Sequence, residues 1–176
     1  ERGRADLVAR AQLLGLAVAV VAAPAEVPAA PAPREAALGA ARAPASGAQP
    51  LVVDLSTLWA GPLCGQLLAA AGAHVVKVES TRRPDGARFG PPAFFDLLNG
   101  DKQSVALDLA DAAGVAALRA LLARADVVIE SARPRALRQL GIDAEACVAA
   151  RAGLTWVSIT GYGRVADRVA FGDDAA

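Results

Sequence analysis

The chain has 176 residues, a 55% hydrophobic fraction, and 18 basic against 18 acidic side chains. That balance argues against wholesale disorder and leaves no basic footprint for nucleic acid, and no run of 18 apolar residues is present to span a membrane. Alanine supplies 45 of the residues and buries little area, so the hydrophobic fraction overstates the core. Cys64 and Cys147 lie far apart and outside CxxC spacing, and His74 is the only histidine, so neither a disulfide framework nor a metal site is expected. Lysine occurs only at Lys77 and Lys102 against 16 arginines, which with the alanine excess points to a GC-rich coding bias. The chain starts at Glu1 without Met, and it reads as a piece of something longer.

Leu7, Ala11 and Leu14 recur at i, i+4, i+7 and predict a helix over 5–15 stopped by Gly15, followed by a short buried strand at 16–22. Residues 23–50 are rich in Ala, Pro, Gly and Ser and predict a linker, because proline removes donors and restricts its predecessor. From 51 the texture changes. Apolar runs at 51–56, 74–80, 104–109, 126–131 and 154–162 predict strands. Helices are predicted after Gly61-Pro62 to Gly72, at 111–124 with Val115, Leu118 and Leu122 inward, at 134–141 and at 143–150. A loop rich in Arg, Pro and Gly is predicted at 81–92, and the stretch FFDLLNGDK after it is left without an element. Near-continuous apolar strands alternating with helices predict an α/β fold with a mainly parallel sheet covered on both faces. Ligands of such open sheets sit beyond the carboxyl ends of the strands.

Several residues carry possible chemistry. Gly161-Tyr162-Gly163 lacks the third glycine and the following helix of a dinucleotide fingerprint, so it reads as a turn. Cys64 sits near a helix start, where a thiol can be activated, but Leu63, Leu67 and Leu68 around it favour a small core residue. His74 has no second ligand in view. Arg82, Arg83 and Arg88 follow one strand, and Arg133, Arg135 and Arg138 follow another. Guanidinium groups bind phosphate bidentately, and two clusters past strand ends point to an anion, although solvated surface is the default for any one of them.

The stretch LVVDLSTLWAGPLCGQLLAAAGAHVVKVES resembles the start of class III CoA-transferases, the family that includes formyl-CoA transferase, carnitine CoA-transferase and α-methylacyl-CoA racemase. Asn99-Gly100-Asp101-Lys102-Gln103-Ser104 with VALDL, then ADVVIES-x-R-P, LGID and LTWVSITGYG continue the family pattern in order over about 51–172. ESTRRPDGARFGP is similar to an actinobacterial branch with two transferase halves in one chain. On that likeness residues 1–22 are the helix-strand remnant of a preceding half, 23–50 the joint, and 51–176 the N-terminal part of a transferase large domain.

The resemblance implies a Rossmann-like fold, incomplete relative to the full family fold, in a cytoplasmic protein that forms an interlocked homodimer at full length. It implies transfer of CoA between carboxylic acids through an Asp-linked acyl intermediate. Coenzyme A or acyl-CoA is then a substrate, and no tightly bound cofactor, nucleic acid or membrane is involved. By position, the implied CoA contacts are Trp59 and Ala60, Ser80 with Arg82 or Arg83, and Leu107, Asp108 and Leu109. They continue at Ser131, Ala132 and Arg133, at Arg138, and at Val169, Ala170 and Phe171. Ser80-Thr81 and Ser131 stand where relatives carry Arg or Pro and Asn, and the loop after Gly163 is shortened. No catalytic residue is assigned, because the family's nucleophilic Asp falls beyond Ala176. Asp173 and Asp174 read instead as helix N-terminal residues. Two alternatives stay open: a non-catalytic CoA-binding or interaction module of the same ancestry, and a racemase, whose acid–base His would fall near Phe171.

Overall fold

The structure, a computed structural model, describes residues 3–21, 33–43 and 47–172. The chain divides into two compact units, Leu38–Ile159 and a second drawn from Glu1–Ala37 and Thr160–Ala176.

In the unit Leu38–Ile159, five strands form one sheet. They are β1 (Leu51–Asp54), β2 (His74–Ser80), β3 (Gln103–Leu107), β4 (Val127–Glu130) and β5 (Thr155–Ser158). Their order is β3-β2-β1-β4-β5 and every pairing is parallel. The strand order therefore reverses at β1, the point at which open α/β sheets bind ligands. The connections carry α2 (Ala60–Ala70), α3 (Pro92–Asn99), α4 (Ala112–Leu122), α5 (Pro134–Gln139) and α6 (Ala144–Ala150).

Because side chains alternate along a strand, neighbouring valines feed opposite faces. Val53, Val78 and Val128 pack with Leu118 and Leu122 of α4, with Ile142 and with Leu154. Val52, Val75 and Ile129 pack on the other face against Cys64, Leu68 and Ala69 of α2. A sheet covered on both sides explains why its strands are apolar runs and not alternating ones.

Local chemistry sets the ends. Asp54 Oδ1 accepts from Ser56 N at 3.0 Å, a side-chain turn that closes β1 before the predicted end at Ser56. Asp111 caps α4 by accepting from Ala113 N at 3.2 Å, and Asp143 caps α6 by accepting from Ala146 N at 2.7 Å. β5 stops at Ser158, short of the predicted 162, because Ile159 N makes its bond to Glu130 O and β4 ends there. Within the predicted 81–92 loop, Gly86–Phe89 forms a 3-10 turn, and FFDLLN belongs to α3, with Pro92 at its start and Leu98 and Asn99 buried. Residues 38–43, inside the predicted linker, run along this unit. Ala40 O accepts from Gly153 N at 2.9 Å, and Arg42 pairs with Asp126 at 3.1 Å.

In the other unit, α1 (Arg4–Leu13) ends at Gly15, whose φ of 77° is open to glycine without steric cost. The buried strand predicted at 16–22 is not found. Residues 16–21 have no strand partner among the described residues, and Val18 O accepts instead from Gln12 Nε2 at 2.9 Å. Residue 22 lies outside the described residues. Residues 160–172 form neither helix nor strand, and the Arg168 guanidinium lies 5.3 Å from the Tyr162 ring centre. Among the described residues no helix is long and apolar enough to cross a membrane.

Candidate functional site

Four of the strand-end segments singled out in the sequence lie at one edge of the sheet, since all strands point the same way. Trp59 is the N-cap of α2 and 64% exposed, with its ring edge-on to Phe94 at 6.4 Å between centres, and Ala60 opens the helix. Ser80 closes β2, and its Oγ accepts from Arg82 N at 3.3 Å. Leu107 closes β3 and accepts on its carbonyl from Thr81 N at 3.0 Å, with Asp108 and Leu109 following. Ser131 follows β4, and its Oγ accepts from Thr57 N at 3.0 Å, which ties the loop after β4 to the loop after β1. Ala132 is half-buried, Arg133 is the exposed N-cap of α5, and Arg138 is exposed in its last turn.

The arginines divide by partner. Arg82 makes a bidentate pair with Asp108, Nε to Oδ1 and Nη2 to Oδ2, each at 2.9 Å. The pair holds the Asp108 carboxyl below its usual range and the Arg82 guanidinium above its own, chiefly through those hydrogen bonds. Arg88 grips Glu79 with Nη2 to Oε2 at 2.6 Å and stacks over Phe95 with its guanidinium carbon 4.0 Å from the ring centre. It is a structural group of the β2 exit. Arg83 is exposed beside the isolated bridge it makes with Ser80. In the other unit Val169 is buried, Ala170 half-buried and Phe171 exposed. Asp173 and Asp174 lie outside the described residues.

Beneath this edge, on the α2 face of the sheet, lies a buried charge network that sequence reasoning missed. Asp54 and Lys102 form an ion pair at 2.8 Å with both side chains fully buried. Lys102 Nζ also donates to Pro62 O at 2.7 Å and Asn99 Oδ1 at 3.0 Å, and Ser56 Oγ donates to Asp54. Gly65 makes room: a Cβ there would lie 2.9 Å from Asp54 Oδ2 and 3.0 Å from Lys102 Nζ. Lys77 and Asp85 form a second buried pair at 2.8 Å, and Lys77 Nζ also donates to Ser56 O at 2.9 Å. Asp85 Oδ1 accepts from Leu58 N at 2.9 Å and Ala87 N at 3.0 Å. Asp85 N in turn donates to Glu79 Oε1 at 2.9 Å. The available signal was the survival of two lysines in an arginine-rich chain. A buried pocket between a carboxylate and backbone carbonyls suits a compact ammonium and not a planar guanidinium.

Burial pulls the Lys102 ammonium below the lysine range, opposed by its bond to Asp54. The Arg88 hydrogen bond leads in holding Glu79 below its usual range, against burial. Burial pushes Asp85 up, but the hydrogen bonds from Lys77, Ala87 and Leu58 outweigh it and the net direction is down. A carboxyl with a lowered folded pKa contributes stability that is present above its unfolded pKa of about 4 and is lost as pH falls through the folded value. The urea midpoint is therefore expected to be flat near neutrality and to fall below about pH 4, more steeply in the native chain than in Glu79→Gln. An equal acid slope in the two would remove Glu79 from this account.

Cys64 packs from α2 onto Val52, Val75 and Ile129, and burial raises its thiol pKa, as suits a core residue and not a nucleophile. His74 Nε2 lies 3.1 Å from Gln103 Oε1. Among the described residues no three His, Cys, Asp or Glu side chains group as a metal site. Gly161-Tyr162-Gly163 is followed by no helix among the described residues.

An open parallel sheet with order β3-β2-β1-β4-β5 and a polar edge at its switch point defines an α/β protein of the Rossmann class. The family model for CoA-transferase family III matches residues 48–175, and the chain belongs to that family. It is 36% identical over 126 residues to succinate–glutarate CoA-transferase of Agrobacterium fabrum, covering 64% of this chain and 32% of that protein. It is 34% identical to succinyl-CoA–D-citramalate CoA-transferase of Chloroflexus aurantiacus, covering 69% and 33%. Among solved structures, a CAIB/BAIF family protein from Brucella suis superposes with a TM-score of 0.62 at 36% identity, covering 69% of this chain and 35% of that one. The chain thus spans about a third of the length of the relatives it matches.

Proposed function

We propose that this chain supplies the CoA-binding edge of a cytoplasmic family III CoA-transferase, a homodimer at full length that moves CoA between carboxylic acids through an Asp-linked acyl intermediate. The observation that carries the reading is the convergence of the family-matched segments at Trp59–Ala60, Ser80–Arg83, Leu107–Leu109 and Ser131–Arg133 on one sheet edge, cross-tied by Ser131 to Thr57 and Arg82 to Asp108. Backbone carbonyls, exposed arginines and an exposed indole there fit an extended ligand with phosphates at one end and an adenine ring to stack. Arg133 and Arg83 are the guanidinium groups best placed for a phosphate, since Arg82 must first leave Asp108.

The acyl-accepting carboxylate belongs elsewhere on this reading. Asp54, Glu79, Asp85, Asp108 and Glu130 all stand at this edge, and each already accepts hydrogen bonds or an ion pair from neighbouring side chains. A carboxylate so engaged is a poor nucleophile toward a thioester. The role of this segment is then to bind and orient CoA. Residues 1–22 as the remnant of a preceding half and 23–50 as the joint complete the proposal.

Titrating CoA into the isotope-labelled chain tests it. Amide signals of Ala60, Ser131 and Arg133 are expected to shift before those of α4, and an acyl-CoA added in the same way is expected to keep its thioester intact. Shifts confined to residues 23–50, or acylation of the chain, would sink the reading.

A further inference from the structure

The connection from β1 to α2 is fastened one backbone group after another by side chains from β2, from the loop after β2 and from the loop after β4. Ser56 O accepts from Lys77, Thr57 N donates to Ser131 and Leu58 N donates to Asp85. Leu58 is the one non-glycine with positive φ among the described residues, at 69°. A Cβ makes that conformation costly, so it persists only where the surroundings over-determine it, and such strain gathers where function needs a fixed geometry. Trp59 comes next in the chain and projects into solvent.

We infer that the buried Lys77–Asp85 pair is a positioning device for the CoA-contacting loop: by holding Ser56 O and Leu58 N it keeps Leu58 left-handed and so fixes the direction in which Trp59 and Ala60 meet the ligand. The inference rests on the reading of Trp59 and Ala60 as CoA contacts. Stability alone is a weak account of the pair, because packed apolar side chains usually serve a core as well as a buried ion pair does. Its specificity lies in where the spare hydrogen bonds go. Lys77 uses its second donor on the loop and not on the sheet, and Asp85 divides its Oδ1 between Leu58 and the turn at Ala87. Gly86 completes the fit, since a Cβ there would stand 3.1 Å from Leu58 Cδ2.

The test compares two charge-neutral variants of the whole chain with the native one. Lys77→Met/Asp85→Asn removes the tie to Ser56 but keeps an oxygen for Leu58 N. Lys77→Met/Asp85→Ala removes both ties. Amide exchange at Val53 and Val128 reports the core, exchange at Leu58 and the Trp59 indole signal report the loop, and CoA titration reports the site. The Kd for CoA is expected to rise in the order native, Asn variant, Ala variant, by about tenfold across the series, with core protection kept and Leu58 protection lost in the Ala variant. An unchanged Kd and an unchanged Leu58 amide across the series overturn the inference. Should the Ala variant fail to fold, the Asn variant decides: a raised Kd with a moved Trp59 indole signal supports the inference, and a Kd and indole signal both equal to the native ones overturn it. Should the native chain not bind CoA, the proposed function falls, and the loop signals alone decide whether the pair positions Leu58.

Discussion

Replacing Lys102 with Met is expected to lower unfolding stability by about 3–5 kcal/mol, the range for removing one partner of a buried ion pair. The side chains of Lys102 and Asp54 are both fully buried, and three of the ammonium's contacts are to oxygen: Asp54 Oδ2, Pro62 O and Asn99 Oδ1. Met keeps the stem but leaves the buried Asp54 carboxylate without its cation in the close quarters that Gly65 allows. The second change Asp54→Asn removes that charge and is expected to restore part of the loss, because the cost lies in the orphaned charge more than in the lost attraction. Urea unfolding of the two variants at neutral pH measures both quantities. A single variant within about 1 kcal/mol of the native chain would mean that the pocket admits water.

The fold was legible because its signals are local. A doubly covered parallel sheet writes itself as apolar runs, and Gly72 and Gly141 end their helices in the left-handed conformation that glycine favours. Where sequence and structure part, the deciding partner is distant in the chain or is not found among the described residues. LAVAVVA at 16–22 is as apolar as β1, but a strand is stable only beside another strand, and composition does not report the neighbour. FFDLLN hides its helix because its four apolar residues sit inside six, too few to show a helical period; Pro92 and the packing of α3 on α2 settle it.

The gathering of the candidate segments at one sheet edge is legible in the sequence, and the wiring among them is not. Topology places the loops at the carboxyl edge, and that much follows from a parallel sheet. The assignment of arginines does not, because Arg82 finds Asp108 26 residues away and Arg88, inside the 3-10 turn, reaches back nine residues to Glu79. The Arg82 pairing depends on register: Ser80 lies opposite Leu107, which sets the exits of β2 and β3 side by side. The lysines follow the same logic. Asp54 lies beside Lys77 in the ladder, yet each pairs with a residue from a later loop, a choice fixed by which side of the network each ammonium can reach.

Gly114→Ala is expected to destabilise the chain by about 1–3 kcal/mol or more, the cost of overpacking, although the substitution would ordinarily stabilise a helix by about 1 kcal/mol. Gly114 lies in the first turn of α4, directly over the turn that leaves β3. A Cβ built on it collides with the carbonyl oxygen of Asp108 and stands 2.7 Å from its carbonyl carbon. Both are main-chain atoms, and that carbonyl already accepts from Asp111 N at 3.1 Å, so no side chain can swing aside to relieve the contact. Either α4 lifts from the sheet, taking the buried Leu118 and Leu122 with it, or the turn moves and carries Asp108 away from Arg82. The two responses have different signatures. Lifting lowers the urea midpoint and leaves the Arg82 Nε signal in place, while displacement of the turn shifts that signal and spares more of the core. A rise in stability, as helix propensity alone would give, would show that α4 sits farther from β3 than the close approach at Gly114 requires.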